Sequence, residues 1–419
     1  MTDQSSINQE RRLKRLQAFT RESISTVAFS SSDWLADPRP LVAPVSSRLG
    51  HDMKLHREVS RFLARRIDEL RRKEARLLVA AGSAIEPLAL RAAAIFKVPC
   101  VRIWVNKPPP LATDTEDSVC EVQATARSAW TRDAWVIALA DFVDGIYVRQ
   151  RGSIASCLRA RIQAAPASST RVAVMPDYKT AATELIAAGA IGWYFASEDQ
   201  DDRSAKAAPR SQGVRVDSDD RWIHDSDGWL IHCTRGCSGA WPGETEHQYQ
   251  DDLLIGNASL TERTAFDTLR RIARSGMLVA NTIASDKRYP VVCFSHTSLS
   301  QRLSKRTFRP HLGRWDNEPY GVAIAIEAAK RIGIQPVIYG DPKDRKLLPE
   351  ENQFRFQAKG KTYDWTDEHE WRSNGSVDLT QLGRNAVRLF VPRCDEAEPL
   401  RSIHAWSVTV LARARGEDC

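Results

Sequence analysis

The 419 residues contain no apolar run that approaches the ~18–20 needed to cross a bilayer. The opening stretch MTDQSSINQERRLKRLQAF also lacks the hydrophobic centre of a signal peptide, so a cytoplasmic protein is expected. Neither common phosphate-cradling fingerprint, G-x-G-x-x-G or G-x-x-x-x-G-K-[ST], occurs in the N-terminal half. Cysteine is sparse: Cys100, Cys120, Cys157, Cys233, Cys237, Cys293, Cys394 and Cys419 are scattered through a chain too large to need disulfide staples, and they read as reduced thiols. Cys233-x3-Cys237 with His247 ten residues on fits no usual zinc spacing, so no metal is expected. No flanking signature marks Cys233 or Cys293 as a nucleophile.

Charge of one sign is also lacking. With 60 Lys+Arg against 53 Asp+Glu the formal net charge is +7, enough to attract nucleic acid or an anionic small molecule. The basic residues concentrate in RRLKR, RFLARRIDELRRKEAR and RRIAR, where helical spacing mixes them with Leu, Ile and acids. They read as solvated helix faces, since no motif of the usual nucleic-acid-binding modules accompanies them.

What is there divides the chain. Residues 1–52 are Ser- and Pro-punctuated, with one short basic helix, and read as an N-terminal arm. From residue 53 helical and β-branched stretches alternate: a long basic helix, then RLLVA, AIEPLALRAAAIFK, PCVRIWV, AWVIALADFV, DGIYVR, GSIASCLRARIQAA, TRVAV, TAATELIAAGA and IGWYFA. Strands alternating with helices of this length imply a parallel, doubly wound sheet, so a Rossmann-like domain is expected over 53–197. Ligands of such sheets sit beyond the carboxyl ends of the strands, where helix N-termini offer N–H groups to anions. Two turns fit that position: Gly82 with Ser83, and Arg149, Arg151, Gly152 and Ser153. Ordinary helix capping is the plainer explanation of either turn. With its glycine turn and strand order, this half is similar to the nucleotide-sensing domains related to DprA and the Lonely Guy proteins.

Residues 198–219 are charged and small and read as a linker. The domain expected over 220–410 is α+β, with short strands and frequent Trp. It opens with WLIHCTRGC and continues through YPVVCFSHTSLSQ, RPHLGRWDNEPYGVAIAIEAAKRIGIQPVIYG and DWTDEHEWR. Over 289–373 these stretches resemble the AbiGi family of abortive phage resistance proteins. At greater distance the layout is similar to the ADP-ribosyltransferase fold, whose first strand carries H-x-T, whose middle strand carries an aromatic residue or S-T-S, and whose late strand carries the catalytic glutamate.

That likeness implies NAD as a substrate. His232 and Thr234 of IHCT would hold the adenosine side or the nicotinamide amide, Tyr320 would stack on the nicotinamide ring, and Glu370 would accept from the 2′-hydroxyl of its ribose. Arg314 or Arg309 would clamp the pyrophosphate. In the arginine-modifying branch of the same fold the three strands carry Arg, S-T-S and E-x-E. Arg235 of CTR, Ser295 with Thr297 of FSHTS, and EHE offer that set as well, so the choice between Ser295 and Tyr320 stays open. E-x-E recurs at 244/246 and 396/398, and only its place after PVIYG distinguishes the pair ending in Glu370.

Two functions of different class follow. One is an NAD-consuming effector in phage defence, with an N-terminal domain that senses a nucleotide, dinucleotide or partner and a protein or nucleic acid as acceptor of ADP-ribose. The other is a non-catalytic, antitoxin-like binding protein.

Overall fold

The computed structural model describes residues 3–20, 27–109, 119–125, 131–164, 169–194, 221–256, 262–281, 288–309, 314–359 and 365–411. The chain forms two compact units, Met1–Ala207 with Glu244–Thr261, and Ala208–Gly243 with Glu262–Cys419.

In the first unit β1 (Ala28–Phe29), β2 (Leu41–Val45), β3 (Arg76–Ala80), β4 (Cys100–Val105), β5 (Val119–Thr125), β6 (Phe142–Gly145), β7 (Thr170–Val174) and β8 (Ile191–Tyr194) make one sheet in the order β1-β5-β4-β3-β2-β6-β7-β8. All pairings are parallel except β1 with β5. The chain winds outward from β2 to β5 and returns beside β2 to wind the other way, so the order reverses between β2 and β6. The helices are α1 (Asp3–Thr20), α2 (Met53–Arg72), α3 (Glu86–Phe96), α4 (Arg132–Leu139), α5 (Ser153–Ala164) and α6 (Ala182–Ala187). From Ala134 to Leu139 every residue of α4 is buried, as its all-round apolar sequence requires, and the helix packs on β2, β3 and β4.

Residues 1–52 are not an arm. β2 sits at the middle of the sheet, and α1 packs on α4 and α5. The strand LVAPV is buried along its whole length and carries Pro44, which removes a ladder donor and argues against a central strand in any reading of the sequence. Arg12 fastens α1 from within: fully buried, it donates to the carbonyls of Leu35, Asp37 and Arg39 at 2.9 Å and to Asp141 at 2.6 Å. β6 begins at Phe142 and ends at Gly145, earlier than the DGIYVR strand expected from β-branching. The linker expected over 198–219 lies outside the described residues.

The helix Glu246–Ile255, expected within the C-terminal domain, belongs to the first unit. It opens with a Thr245–Gln248 capping box, and it packs on α2 and α3 with Tyr249, Leu253 and Leu254 buried and Arg91 donating to Asp251 at 2.6 Å. Its place in the chain says nothing of that docking.

The second unit contains β9 (Trp229–Cys233), β10 (Met277–Leu278), β11 (Val291–Ser295), β12 (Phe308–Arg309), β13 (Arg314–Trp315), β14 (Gly321–Ala325), β15 (Gln335–Pro336), β16 (Ile338–Gly340), β17 (Phe356–Ala358), β18 (Glu370–Asn374), β19 (Val377–Asp378), β20 (Val387–Val391) and β21 (Ser407–Val410). Seven of them form a sheet in the order β15-β18-β11-β9-β14-β20-β21, antiparallel except for β20 with β21. One face of this sheet, with Leu230, Phe294 and Val322, packs with the helices Ala265–Ser275, Ile326–Arg331 and Cys394–Arg401. The other carries Ile231, Ala323 and Phe390 against Trp222 and Leu299. The helix Ala265–Ser275 starts at a Thr264–Asp267 capping box and stops at Gly276, whose φ of 70° suits a residue without Cβ. At Gly321 a Cβ would collide with the His232 carbonyl oxygen and the Phe390 ring.

Candidate functional site

Side chains alternate across a strand, and residues directly opposed on neighbouring strands share a face. Ser295 of β11 stands opposite both Glu370 of β18 and Ile231 of β9. Glu370, Ser295 and Ile231 therefore lie on one side of the sheet. His232, the next residue along β9, opposes Val322 and packs 5.7 Å from the Phe294 ring on the other side. Tyr320 lies on that other side as well, 5.8 Å from Phe266, with its hydroxyl donating to Glu396 at 2.8 Å. The sheet itself separates His232 and Tyr320 from Glu370, so these three do not form one site.

His232 is instead a packed strand histidine. Its Nδ1 lies 2.9 Å from the carbonyl oxygen of Cys293, and burial lowers its pKa to about 4, which keeps the ring neutral. Thr234 is also structural: fully buried, it donates from Oγ1 to the Ala265 carbonyl at 2.8 Å and staples the end of β9 to the helix Ala265–Ser275.

A different set collects on the face of Ser295. The Ser295 hydroxyl lies 3.0 Å from Thr297 Oγ1 and donates to the Glu368 carbonyl at 2.7 Å. Cys293, two residues back, has both Glu370 and Arg372 in hydrogen-bond reach of its thiol, and burial followed by the Glu370 charge pushes its pKa up. Arg372 donates to both carboxylate oxygens of Glu370, to Gln357 Oε1 at 2.7 Å and to the carbonyls of Phe354 and Phe356. The Tyr339 hydroxyl accepts from the Glu370 N–H at 3.4 Å.

Glu368 completes the group. Burial raises its carboxyl pKa and the neighbouring Glu370 adds to this, while Arg302 and Arg235 pull against it. Between the two glutamates His369 holds φ of 42°, an uncommon conformation for a residue with a Cβ. Arg302 reaches the Cys233 thiol, and its Nε is buried without a partner. Arg235 is exposed and donates to the Asp316 carbonyl at 3.3 Å. Two carboxylates, three hydroxyls and three guanidiniums thus share one region, with cationic charge to receive an anion and a carboxylate held partly out of water.

Glu368 was legible as the first member of E-x-E. Arg302 was not, because it comes from the helix Leu299–Ser304, which no motif marks. Arg309 pairs with Asp316 at 3.1 Å, and the Arg314 backbone pairs with that of Arg309 in the β12–β13 hairpin. Among the described residues no group of three or more His, Cys, Asp or Glu is arranged to hold a metal.

In the first unit the Gly82 turn is closed by the chain's own anion. Gly82 has φ of 73°, and its N–H donates to the Glu86 carboxylate, which is also held by Arg102. The donor expected to meet a phosphate is thereby taken. Ser83 is buried, and its hydroxyl has no partner. At the other turn Arg149 donates from its backbone to Ser47 Oγ at 3.2 Å and from its guanidinium to the Arg48 carbonyl at 2.6 Å, while Ser153 begins α5.

No protein-family model matches the chain, and no curated protein does. Solved structures similar to part of it include two DNA processing proteins. DNA processing protein A (DprA) from Streptococcus pneumoniae shares 11% identity over 42% of this chain and 66% of its own, with a TM-score of 0.31. DNA processing protein A from Helicobacter pylori, described for its single-stranded DNA binding mode, shares 18% identity over 36% of this chain and 74% of its own, with a TM-score of 0.27. The chain thus spans just under two thirds of the first of these proteins. No helix among the described residues is long and apolar enough to cross a membrane.

Proposed function

We propose that the second unit cleaves the nicotinamide glycosidic bond of NAD, passing ADP-ribose to an acceptor or to water. One observation carries the reading: the β9–β11–β18 register gathers Ser295 and Glu370 on one face and leaves His232 and Tyr320 on the other, while the charges of Arg235 and Arg302 act on Glu368 and His232 alike. This favours the Arg, Ser-x-Thr and E-x-E set over the His and Tyr set.

As the bond breaks, its electron pair leaves with nicotinamide and positive charge grows at the ribose. A carboxylate beside that carbon interacts more strongly with the transition state than with the substrate. Glu368 takes this role, since Arg372 already holds both oxygens of Glu370. Arg235 and Arg302 receive the pyrophosphate, and Ser295 with Thr297 positions the Glu368 backbone. In the same reading the first unit is a Rossmann-like domain that senses a nucleotide or a partner, supported by the order reversal between β2 and β6. The whole acts as a cytoplasmic effector in phage defence, with a protein or nucleic acid as acceptor.

A second reading, a non-catalytic binding module, is favoured by the complete engagement of Glu370 in the Arg372 network. Purified protein incubated with NAD, with and without cell lysate, separates the two when free nicotinamide is followed by chromatography. Release by the wild type, reduced ~100-fold or more in Glu368→Gln, is the expected result. Silence of the wild type with lysate present overturns the enzyme reading and favours the module.

A further inference from the structure

The stretch KRTFR, residues 305–309, sets three cations around one aromatic residue, and the strand that pairs with it supplies a second ring. β12 and β13 pair only with each other, as a two-stranded ribbon outside the seven-stranded sheet. Phe308 stands directly opposite Trp315, so both rings lie on one face of the ribbon, 5.5 Å apart and edge to face. They are 45% and 37% exposed. Of the exposed large apolar side chains among the described residues, only these two are in ring contact with each other. Single exposed apolar residues are ordinary, whereas two aromatic rings side by side in water point to a contact surface.

The Arg306 guanidinium lies over Trp315, 4.2 Å from the ring centroid, and donates to the Asn317 carbonyl at 2.9 Å and to the Glu318 carboxylate at 2.7 Å. The indole is thus oriented in advance, with the more exposed Phe308 ring beside it. Arg309 pairs with Asp316 and stays partly exposed, while Lys305 and Arg235 are exposed. Together with Arg306, four cations stand against two carboxylates, Asp316 and Glu318. Arg235 donates to the Asp316 carbonyl at 3.3 Å, and the Asp316 charge acts on Glu368, so the ribbon borders the candidate site.

An acidic peptide uses such cations alone. A polyanion that also presents planar rings uses the aromatic pair as well, and its rings are available only where they are not already stacked in a duplex. We propose that the β12–β13 ribbon binds single-stranded nucleic acid, with a base stacked on Phe308 and Trp315 and neighbouring phosphates on Lys305, Arg306 and Arg309. That strand is the acceptor of ADP-ribose in the reaction proposed above. Only this last role rests on NAD cleavage; binding does not, and it is measured without NAD.

Fluorescein-labelled oligothymidylate is titrated with the full-length protein and followed by anisotropy, beside an abasic strand and a duplex of equal length. The expected result is saturable binding of oligothymidylate that weakens with added salt, with the abasic strand and the duplex each about tenfold weaker or more. Phe308→Ala and Trp315→Ala are each expected to weaken oligothymidylate about tenfold while the melting temperature of the free protein is kept. Lys305→Glu is expected to weaken it about fivefold and to flatten the salt dependence. Where Trp315→Ala lowers the melting temperature, Phe308→Ala, at the more exposed ring, decides. Equal affinity for the abasic strand overturns the aromatic platform, and unchanged affinity in Phe308→Ala overturns the ribbon as the location. Polyglutamate that displaces oligothymidylate at equal charge assigns the surface to an acidic peptide and overturns the nucleic-acid partner. Absence of binding at low salt overturns the proposal as a whole.

Discussion

Arg372 grips both carboxylate oxygens of Glu370, at 2.9 Å from Nε and 3.2 Å from Nη2, although the two residues are only two apart on one strand. The same guanidinium ties β18 to the segment before and within β17 through Phe354, Phe356 and Gln357. With Arg372 fully buried and Glu370 nearly so, removal of the cation strands a carboxylate in the interior. Arg372→Met is expected to cost the second unit about 3–5 kcal/mol, read from denaturant unfolding. Glu370→Gln weakens the same network, so a loss of turnover in that variant has two causes, and Glu368→Gln is the cleaner probe.

Glu368 carries a prediction of opposite sign. Its carboxyl pKa is raised in the folded protein, chiefly by burial, so the folded state binds a proton more readily than the unfolded chain. Its contribution to stability is then greatest at acid pH and declines as pH rises through the folded pKa. Glu368→Gln is expected to stabilise the protein at pH 8 relative to wild type, with the difference shrinking towards pH 4. Melting temperatures of both proteins across that range check it, and a constant difference would contradict the assignment.

His232 behaves in the reverse way. Its pKa, lowered to about 4 by burial, means that the unfolded chain takes up the proton first as pH falls below ~6.5. Stability from this residue is complete at neutral pH and is lost between ~6.5 and about 4. Imidazole resonances followed by NMR should remain those of a neutral ring at pH 5.5.

Tyr320→Phe tests the division of the sheet. The substitution removes one hydrogen bond to Glu396, at a cost of about 1 kcal/mol, on the face away from Glu368. Nicotinamide release is expected to stay within about threefold of wild type. A hundredfold loss would restore the aromatic residue to the site.

Asp141 anchors α1. Burial opposes its ionisation, yet Arg12, then the Leu41 N–H and then Arg15 outweigh that and lower its pKa. The stabilisation is present above ~3.9, the unfolded value, and is lost as pH falls through the folded pKa. Asp141→Asn leaves Arg12 without its carboxylate and is expected to cost about 3–5 kcal/mol, measured by equilibrium unfolding of the full chain.

Much of the second unit was legible because local rules act over a few residues. WLIHC forms a strand, and the helix ending at Gly276 stops where the glycine permits a left-handed turn. The central β2 was hidden by Pro44 and by a buried run too short to show a period, and the docking of Glu246–Ile255 on α2 and α3 leaves no trace in its neighbours along the chain.

The residue types of the candidate site, C-T-R, S-H-T-S and E-H-E, stand in the sequence by themselves, since composition and order need no partner. Which of them meet depended on tertiary structure alone. A strand alternates its side chains with period two, so one step of register decides whether Glu370 faces Ser295 or His232. The pairing of β11 with both β9 and β18 made that choice, and the helix Leu299–Ser304 brought Arg302 to the same face.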